Sequence, residues 1–246
     1  MLRSRAAGHR RTPVLALLLL VVSAVAFLAW NDVPSKIAPL DVKTAVALMA
    51  PNRTSDPAVP FVKPQGFEAE LALIIAVQDA VLRAAPIDEG LPLDETRELS
   101  ELVKAGRGLC YDRSHAIETI LRLHGMETRH VAVYSTETTA SALRSLLTPQ
   151  VSSHALSEVL TERGWIAVDS NYRWIALTAD GEPYDLGKMR QNPNVAWSKT
   201  IKGRMAPIFK EDYTWVYGLF SRHGRFYPPF IPFPDIKLSE LRHNIF

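Results

Sequence analysis

A chain of 246 residues with 47% hydrophobic and 22% charged side chains has the make-up of a globular protein, which excludes wholesale disorder. Net charge is +2, but four of the 28 basic side chains (Arg3, Arg5, Arg10 and Arg11) precede the first hydrophobic run, leaving 24 against 26 acidic ones. The folded part is therefore near neutral and carries no basic stripe, which argues against nucleic acid as a partner.

Residues 1–12 read as a basic cytoplasmic tail. From Val14 to Trp30 the chain is apolar apart from Ser23, a run of 17 residues at the lower edge of a membrane-spanning length. Residues 13–30 are expected to be one transmembrane helix, with the arginines on the cytoplasmic side and Trp30 at the far interface. A cleavable signal peptide competes, with Ala24-Val25-Ala26 as its small-residue cleavage site. The apolar run continues past that site, which favours the retained anchor. Either way the rest of the chain is expected on the periplasmic or extracytoplasmic side of the inner (cytoplasmic) membrane.

Residues 31–65 hold Pro34, Pro39, Pro51, Pro57, Pro60 and Pro64, and read as a tether in which only Val42–Ala50 looks helical. Gly66-Phe67 opens a strong amphipathic helix to about Ala85, with Leu71, Ile74, Ile75, Gln78 and Leu82 on its wide inner face. Pro86 ends it, and a short helix is expected around Glu95–Lys104. Apolar spacing through Ala116, Ile117, Ile120 and Leu121, with Gly125 as stop, predicts a further helix behind Cys110. The period then changes. Strands are expected over Thr128–Tyr134, Ser152–Leu160 and Trp165–Asp169, with a short helix at 138–147 and a hairpin turn at Asp180-Gly181 after Tyr172–Leu177. Helices followed by strands imply an α+β fold with an antiparallel sheet. Residues 66–180 read as the core domain and 181–246 as a C-terminal extension packing on it. The segment Tyr227-Pro228-Pro229-Phe230-Ile231-Pro232-Phe233-Pro234 cannot be a central strand. It reads as an extended arm with aromatic anchors, used for packing or for a cell-envelope protein partner.

Cys110 is the only cysteine. Two glycines (Gly106, Gly108) precede it, so the thiol sits where a loop enters the first turn of a helix. Unpaired N–H groups and the positive end of the helix dipole favour thiolate there, and thiolate is the nucleophile. A small buried hydrophobe is the bland alternative. In an oxidising compartment an unpaired thiol needs a reason to be there, which favours the reactive reading.

A cysteine nucleophile needs a base, and the base an orienting group. Of seven histidines, His9 is on the cytoplasmic side. His115 and His124 lie on the cysteine helix, and His115 is more than one turn from Cys110. His154 opens one strand and Asp169 closes the next. A turn at Arg163-Gly164 pairs those strands antiparallel, and Trp165, Ala167 and Asp169 share a face. The carboxylate would then fix the imidazole tautomer, and the charged imidazole would stabilise the thiolate. No His-Glu-x-x-His or Gly-x-Ser-x-Gly motif and no phosphate-cradling glycine loop is present, and one cysteine cannot build a thiolate zinc site, so no cofactor or metal is expected.

Four motifs occur in order: Gly108-Leu109-Cys110-Tyr111; Gly125-Met126-Glu127-Thr128-Arg129; His154-Ala155-x-x-Glu158-Val159; and Gly164-Trp165-x-x-Val168-Asp169. Together they resemble the transglutaminase-like superfamily over roughly Phe67 to Leu177. The resemblance implies a papain-like core, in which a helix carrying the cysteine packs on an antiparallel sheet carrying histidine and aspartate. It implies Cys110 as nucleophile, His154 as general base and acid, and Asp169 as orienting carboxylate. It further implies attack on an amide or ester carbonyl of a protein or peptide substrate, with either water or an amine accepting the acyl group from a Cys thioester. Leu156 stands where the family usually has tryptophan, and Ser170-Asn171 replaces a frequent Pro-Thr. Arg129 and Glu158 are given structural roles, as a partly buried ion pair or through backbone hydrogen bonds. A non-catalytic scaffold or binding module in cell-envelope or exopolysaccharide assembly is the alternative function.

Overall fold

The computed structural model of the chain describes residues 11–50, 61–93 and 96–245. Its helices are α1 (Arg11–Trp30), α2 (Pro39–Met49), α3 (Phe67–Ala84), α4 (Leu99–Ala105) and α5 (Cys110–Leu123), followed by the short α6 (Ala142–Leu147), α7 (Leu186–Gln191) and α8 (Leu238–Leu241). Strands β1 (Thr128–Ser135), β2 (Ser153–Thr161), β3 (Gly164–Val168) and β4 (Tyr213–Tyr217) form an antiparallel sheet in the order β3-β2-β1-β4. A second, two-stranded ladder joins β5 (Leu219–Phe220) to β6 (Asp235–Ile236). The fold is thus mixed helix and antiparallel sheet.

Helix α5 is the central element. It lies between α3 and α4 on one side and β1 and β2 on the other, and every residue from Tyr111 to Leu121 is buried. Gly106 (φ +64°) and Gly125 (φ +74°) take the left-handed conformation that closes α4 and follows α5, a backbone state that costs a Cβ-bearing residue about 1–2 kcal/mol. Ile117, Ile120 and Leu121 meet Ile74, Val77 and Val81 of α3, together with Val159, Ile166 and Val168 of the sheet, in one core. Burying each such side chain contributes about 1.5–3 kcal/mol. Strand alternation turns Val131, Val133, Leu156 and Ala167 to the opposite face. There they pack with Trp174, Leu186, Met189, Ile208 and Phe209 in a second core. The sheet is therefore sandwiched between the helices and the C-terminal segment.

Several expectations need correcting. The helix expected from Glu95 runs Leu99–Ala105, residues 94 and 95 lying outside the described ones. The helix expected over 138–147 is confined to Ala142–Leu147, because Ser141 caps it and a turn occupies Thr136–Ala140. The stretch Tyr172–Leu177 forms only isolated bridges, Ile175 to Val168 and Leu177 to Pro183. The fourth strand comes from further on: β4, Tyr213-Thr214-Trp215-Val216-Tyr217, pairs with β1 in the register Val133↔Trp215. The region 181–246, read as an extension, thereby supplies part of the sheet.

Residues 31–65 differ from a free tether. Ala45 and Met49 of α2 are buried in the main core because the helix has an apolar face that α3, α4 and α5 cover, while residues 51–60 lie outside the described ones. Asn31 and Val33 bond to the backbone of Ile236. The segment 227–234 folds back on itself rather than extending, with Phe230 N–H donating to Tyr227 O and Arg225 N–H to Pro232 O. Among the described residues no helix is long and apolar enough to cross a membrane. Helix α1 has an exposed apolar surface from Val14 to Phe27, about 21 Å at 1.5 Å per residue.

Candidate active site

Cys110 is the first residue of α5 and is half-buried. Its approach is set by the glycines. A Cβ at Gly108 would lie 3.0 Å from Leu102 and 3.2 Å from the Asp112 side chain, so a side chain there would have to push these neighbours back by a few tenths of an ångström. Asp112 turns back to accept the Leu109 N–H at 2.9 Å and the Leu91 N–H at 3.3 Å, which anchors the helix entrance. The first-turn N–H groups of Cys110, Tyr111 and Asp112 have no preceding helical turn to bond. Tyr111, Tyr134 and Phe226 form an aromatic cluster against which Cys110 packs, and the Tyr134 hydroxyl donates to the Phe226 carbonyl.

His154 and Asp169 come together across the β2–β3 hairpin. The register Ser157↔Val168 puts Asp169 beyond the end of β3, on the same face as His154 and Leu156. His154 Nε2 lies 3.3 Å from Asp169 Oδ2. That leaves Nδ1 for the other side of the ring, where the Cys110 sulfur is near enough to favour the charged imidazole. Burial by itself would lower the imidazole pKa. The Asp169 carboxylate and the Cys110 sulfur outweigh it and raise the value from 6.5 to about 10. The shift favours the charged form of His154, held between an acid and a sulfur. The three residues singled out in the sequence, Cys110, His154 and Asp169, thus meet at one place.

Asp169 is fully buried and every part of it is held. Its Oδ1 accepts the N–H groups of Asn171 (2.7 Å) and Tyr172 (3.0 Å). Gln78, on α3, donates from one amide nitrogen to the carbonyls of Asp169 (2.8 Å), Tyr172 (3.1 Å) and Trp174 (2.8 Å). Arg113, one turn behind Cys110, donates to Asn171 Oδ1 at 2.8 Å and to the carbonyls of Ala85 and Ile87 at 3.0 Å. Gln78 and Arg113 were not singled out as site residues from the sequence. For Gln78 a signal existed, a lone amide on an otherwise apolar helix face, because a buried amide must find partners.

The other titratable groups lie elsewhere. His115 bonds Glu98 at 2.9 Å. His130 bonds Glu118 at 2.8 Å, and Ser157 donates to the same carboxylate oxygen at 2.9 Å, which pins α5 to β1 and β2. Arg129 and Glu158 pair at 2.6 Å, with the guanidinium stacked on Trp165 and Tyr217. Leu156 packs among the apolar residues of the second core. The ring that faces His154 is Phe209, in edge contact at 6.1 Å. Among the described residues no group of His, Cys, Asp and Glu is arranged to hold a metal ion.

No curated protein matches the chain. Among solved structures, that of Rad4–Rad23 bound to a 6-4 photoproduct UV lesion is similar at 13% identity with a TM-score of 0.31, over 76% of this chain and 46% of that one, a likeness too slight to carry an argument. The family comparison bears on the site directly: residues 63–170, which contain Cys110, His154 and Asp169, match the model of the transglutaminase-like superfamily.

Proposed function

We propose that the chain is a transglutaminase-like thiol enzyme acting on an amide or ester bond of a protein or peptide. Cys110 attacks the carbonyl carbon and the Cys110 N–H stabilises the oxyanion. His154 gives its proton to the departing amine or alcohol, which leaves a thioester on Cys110. His154 then takes a proton from water or an amine as that acceptor attacks the thioester, and Cys110 is released with an acid or a new amide. Asp169 holds the imidazole in the tautomer and orientation both steps require. The observation that carries this reading is the placement of His154 against Asp169 at 3.3 Å, with Cys110 at the head of α5 beside the imidazole.

In this reading residues 13–30 anchor the protein in the inner membrane, with the domain on the extracytoplasmic side. The basic residues ahead of the apolar run support that orientation.

The test is alkylation of the full chain by iodoacetamide, followed by intact mass from pH 5 to 9. Cys110 is expected to react at pH 6 at least about ten-fold faster than N-acetylcysteine, and His154→Ala to abolish the difference. Equal rates for the two thiols, unchanged by His154→Ala, would refute the mechanism.

A second reading is a non-catalytic scaffold. The packing of the Phe226–Tyr227 segment around a half-buried Cys110 favours it. It predicts that Cys110→Ser leaves partner capture intact, whereas loss of function in that variant supports catalysis.

A further inference from the structure

We infer that the large cavity at the His154 end of the sheet is the substrate subsite, and that it takes a bulky apolar or aromatic group carried next to the reacting carbonyl. This rests on the thiol-enzyme reading and specifies its substrate. The cavity measures about 970 Å³, at the upper end of small-ligand sites. One wall is apolar (Met189, Trp197, Met205, Phe209 and Tyr213), and Arg190, Asn194 and Glu211 are among the polar residues of the rest.

Two observations connect it to the chemistry. The first is Phe209, which walls the cavity and also makes an edge contact with the His154 ring at 6.1 Å. The second is register: Val133 of β1 pairs with His154, and the chain leaving that end of β1 lines the cavity with Thr136 and Glu137. Cys110, His154 and Asp169 do not line the cavity themselves; Phe209 stands between it and the imidazole.

The floor is preorganised. Trp174 packs edge-on to Trp197 at 5.2 Å, and Phe209 edge-on to Tyr213 at 5.6 Å. Met205 is half-buried, and its flexible thioether suits a wall that must accommodate a ligand. Glu137, Arg190, Lys210, Glu211 and Asp212 add charges of both signs to the lining, so the rings and thioethers form one wall of it. Leu156 packs in the second core, and Phe209 from the C-terminal segment supplies the ring against the histidine.

The test needs no knowledge of the natural substrate. The full chain and N-acetylcysteine are alkylated in parallel with iodoacetamide and with N-(2-phenylethyl)iodoacetamide, in which the same thiolate displaces iodide. The ratio of the two rates is compared between protein and small thiol. The protein's ratio is expected to exceed that of N-acetylcysteine by roughly ten-fold or more, the discrimination an apolar pocket gives. Met205→Trp, which fills the cavity, and Phe209→Ala, which removes its inner wall, are each expected to bring the ratio back towards the N-acetylcysteine value. A wild-type ratio equal to that of N-acetylcysteine overturns the subsite, as does a high ratio that neither variant changes. The iodoacetamide rate alone, with and without His154, tests the thiol-enzyme reading separately, so the two failures are distinct.

Discussion

The side-chain amide of Gln78 reaches across 91 positions of sequence to the backbone carbonyl of Asp169 at 2.8 Å, and the same nitrogen bonds the carbonyls of Tyr172 and Trp174. One buried residue of α3 thus clamps the loop that presents the carboxylate to His154. Gln78→Leu keeps the volume but leaves the Asp169 carbonyl without a donor, while the Tyr172 and Trp174 carbonyls keep the N–H groups of Trp174 and Asp169. It is expected to cost about 1–3 kcal/mol of unfolding free energy, read from urea denaturation. Gln78→Glu, which turns an acceptor on those carbonyls, is expected to cost no less.

The His154 imidazolium makes stability depend on pH in a definite direction. Its pKa rises from 6.5 to about 10 on folding; burial acts against that rise, and Asp169 and Cys110 more than offset it. A group that binds its proton more tightly in the fold stabilises it fully below about 6.5 and loses that contribution as pH climbs through about 10. The urea midpoint of the wild type is expected to fall between pH 7 and 10. Asp169→Asn, which removes the charge partner, is expected to flatten that fall and to lower the midpoint at pH 7.

Glu98 works in the opposite sense at the acid end. Burial would raise its pKa, but the His115 hydrogen bond and charge and the Arg222 guanidinium prevail and hold it at about 2. Its contribution is present above about 4.5 and is lost as pH falls towards 2. Glu98→Gln is expected to destabilise the protein by about 1–3 kcal/mol at pH 7 and by progressively less on acidification, measured by denaturation at pH 7 and pH 3.

Truncation after residue 180 removes β4 and Phe209 together. It leaves β1 as an open edge and exposes Val131, Val133, Leu156 and Ala167 on the face they shared with the C-terminal segment. Such an edge invites association. The truncated protein is expected to be insoluble or aggregated by light scattering, even though residues 63–170 hold the whole Cys110–His154–Asp169 set.

The strands themselves were legible up to Asp169, because period-two alternation and the Gly164 turn are local signals. The same turn also led to the pairing of His154 with Asp169, since parity follows from it. Strand β4 was missed although Tyr213–Tyr217 is rich in aromatic and β-branched residues, because the irregular stretch before it hides its partner. The packing of α2 was missed for a related reason. Flanking prolines suggest a free linker, whereas Ala45 and Met49 find a surface that only the assembled helices create. The roles of Gln78, Arg113 and Phe209 depend on partners more than 50 positions away, and no local pattern encodes such distances.

The short ladder linking Asn31 and Val33 to Ile236 has a mechanical consequence. The apolar rod α1 leaves the globule where residues 31–33 are stitched to Ile236, with no slack between rod and ladder. Whatever seats the rod also fixes the attitude of the globule, and with it the direction in which the head of α5 points.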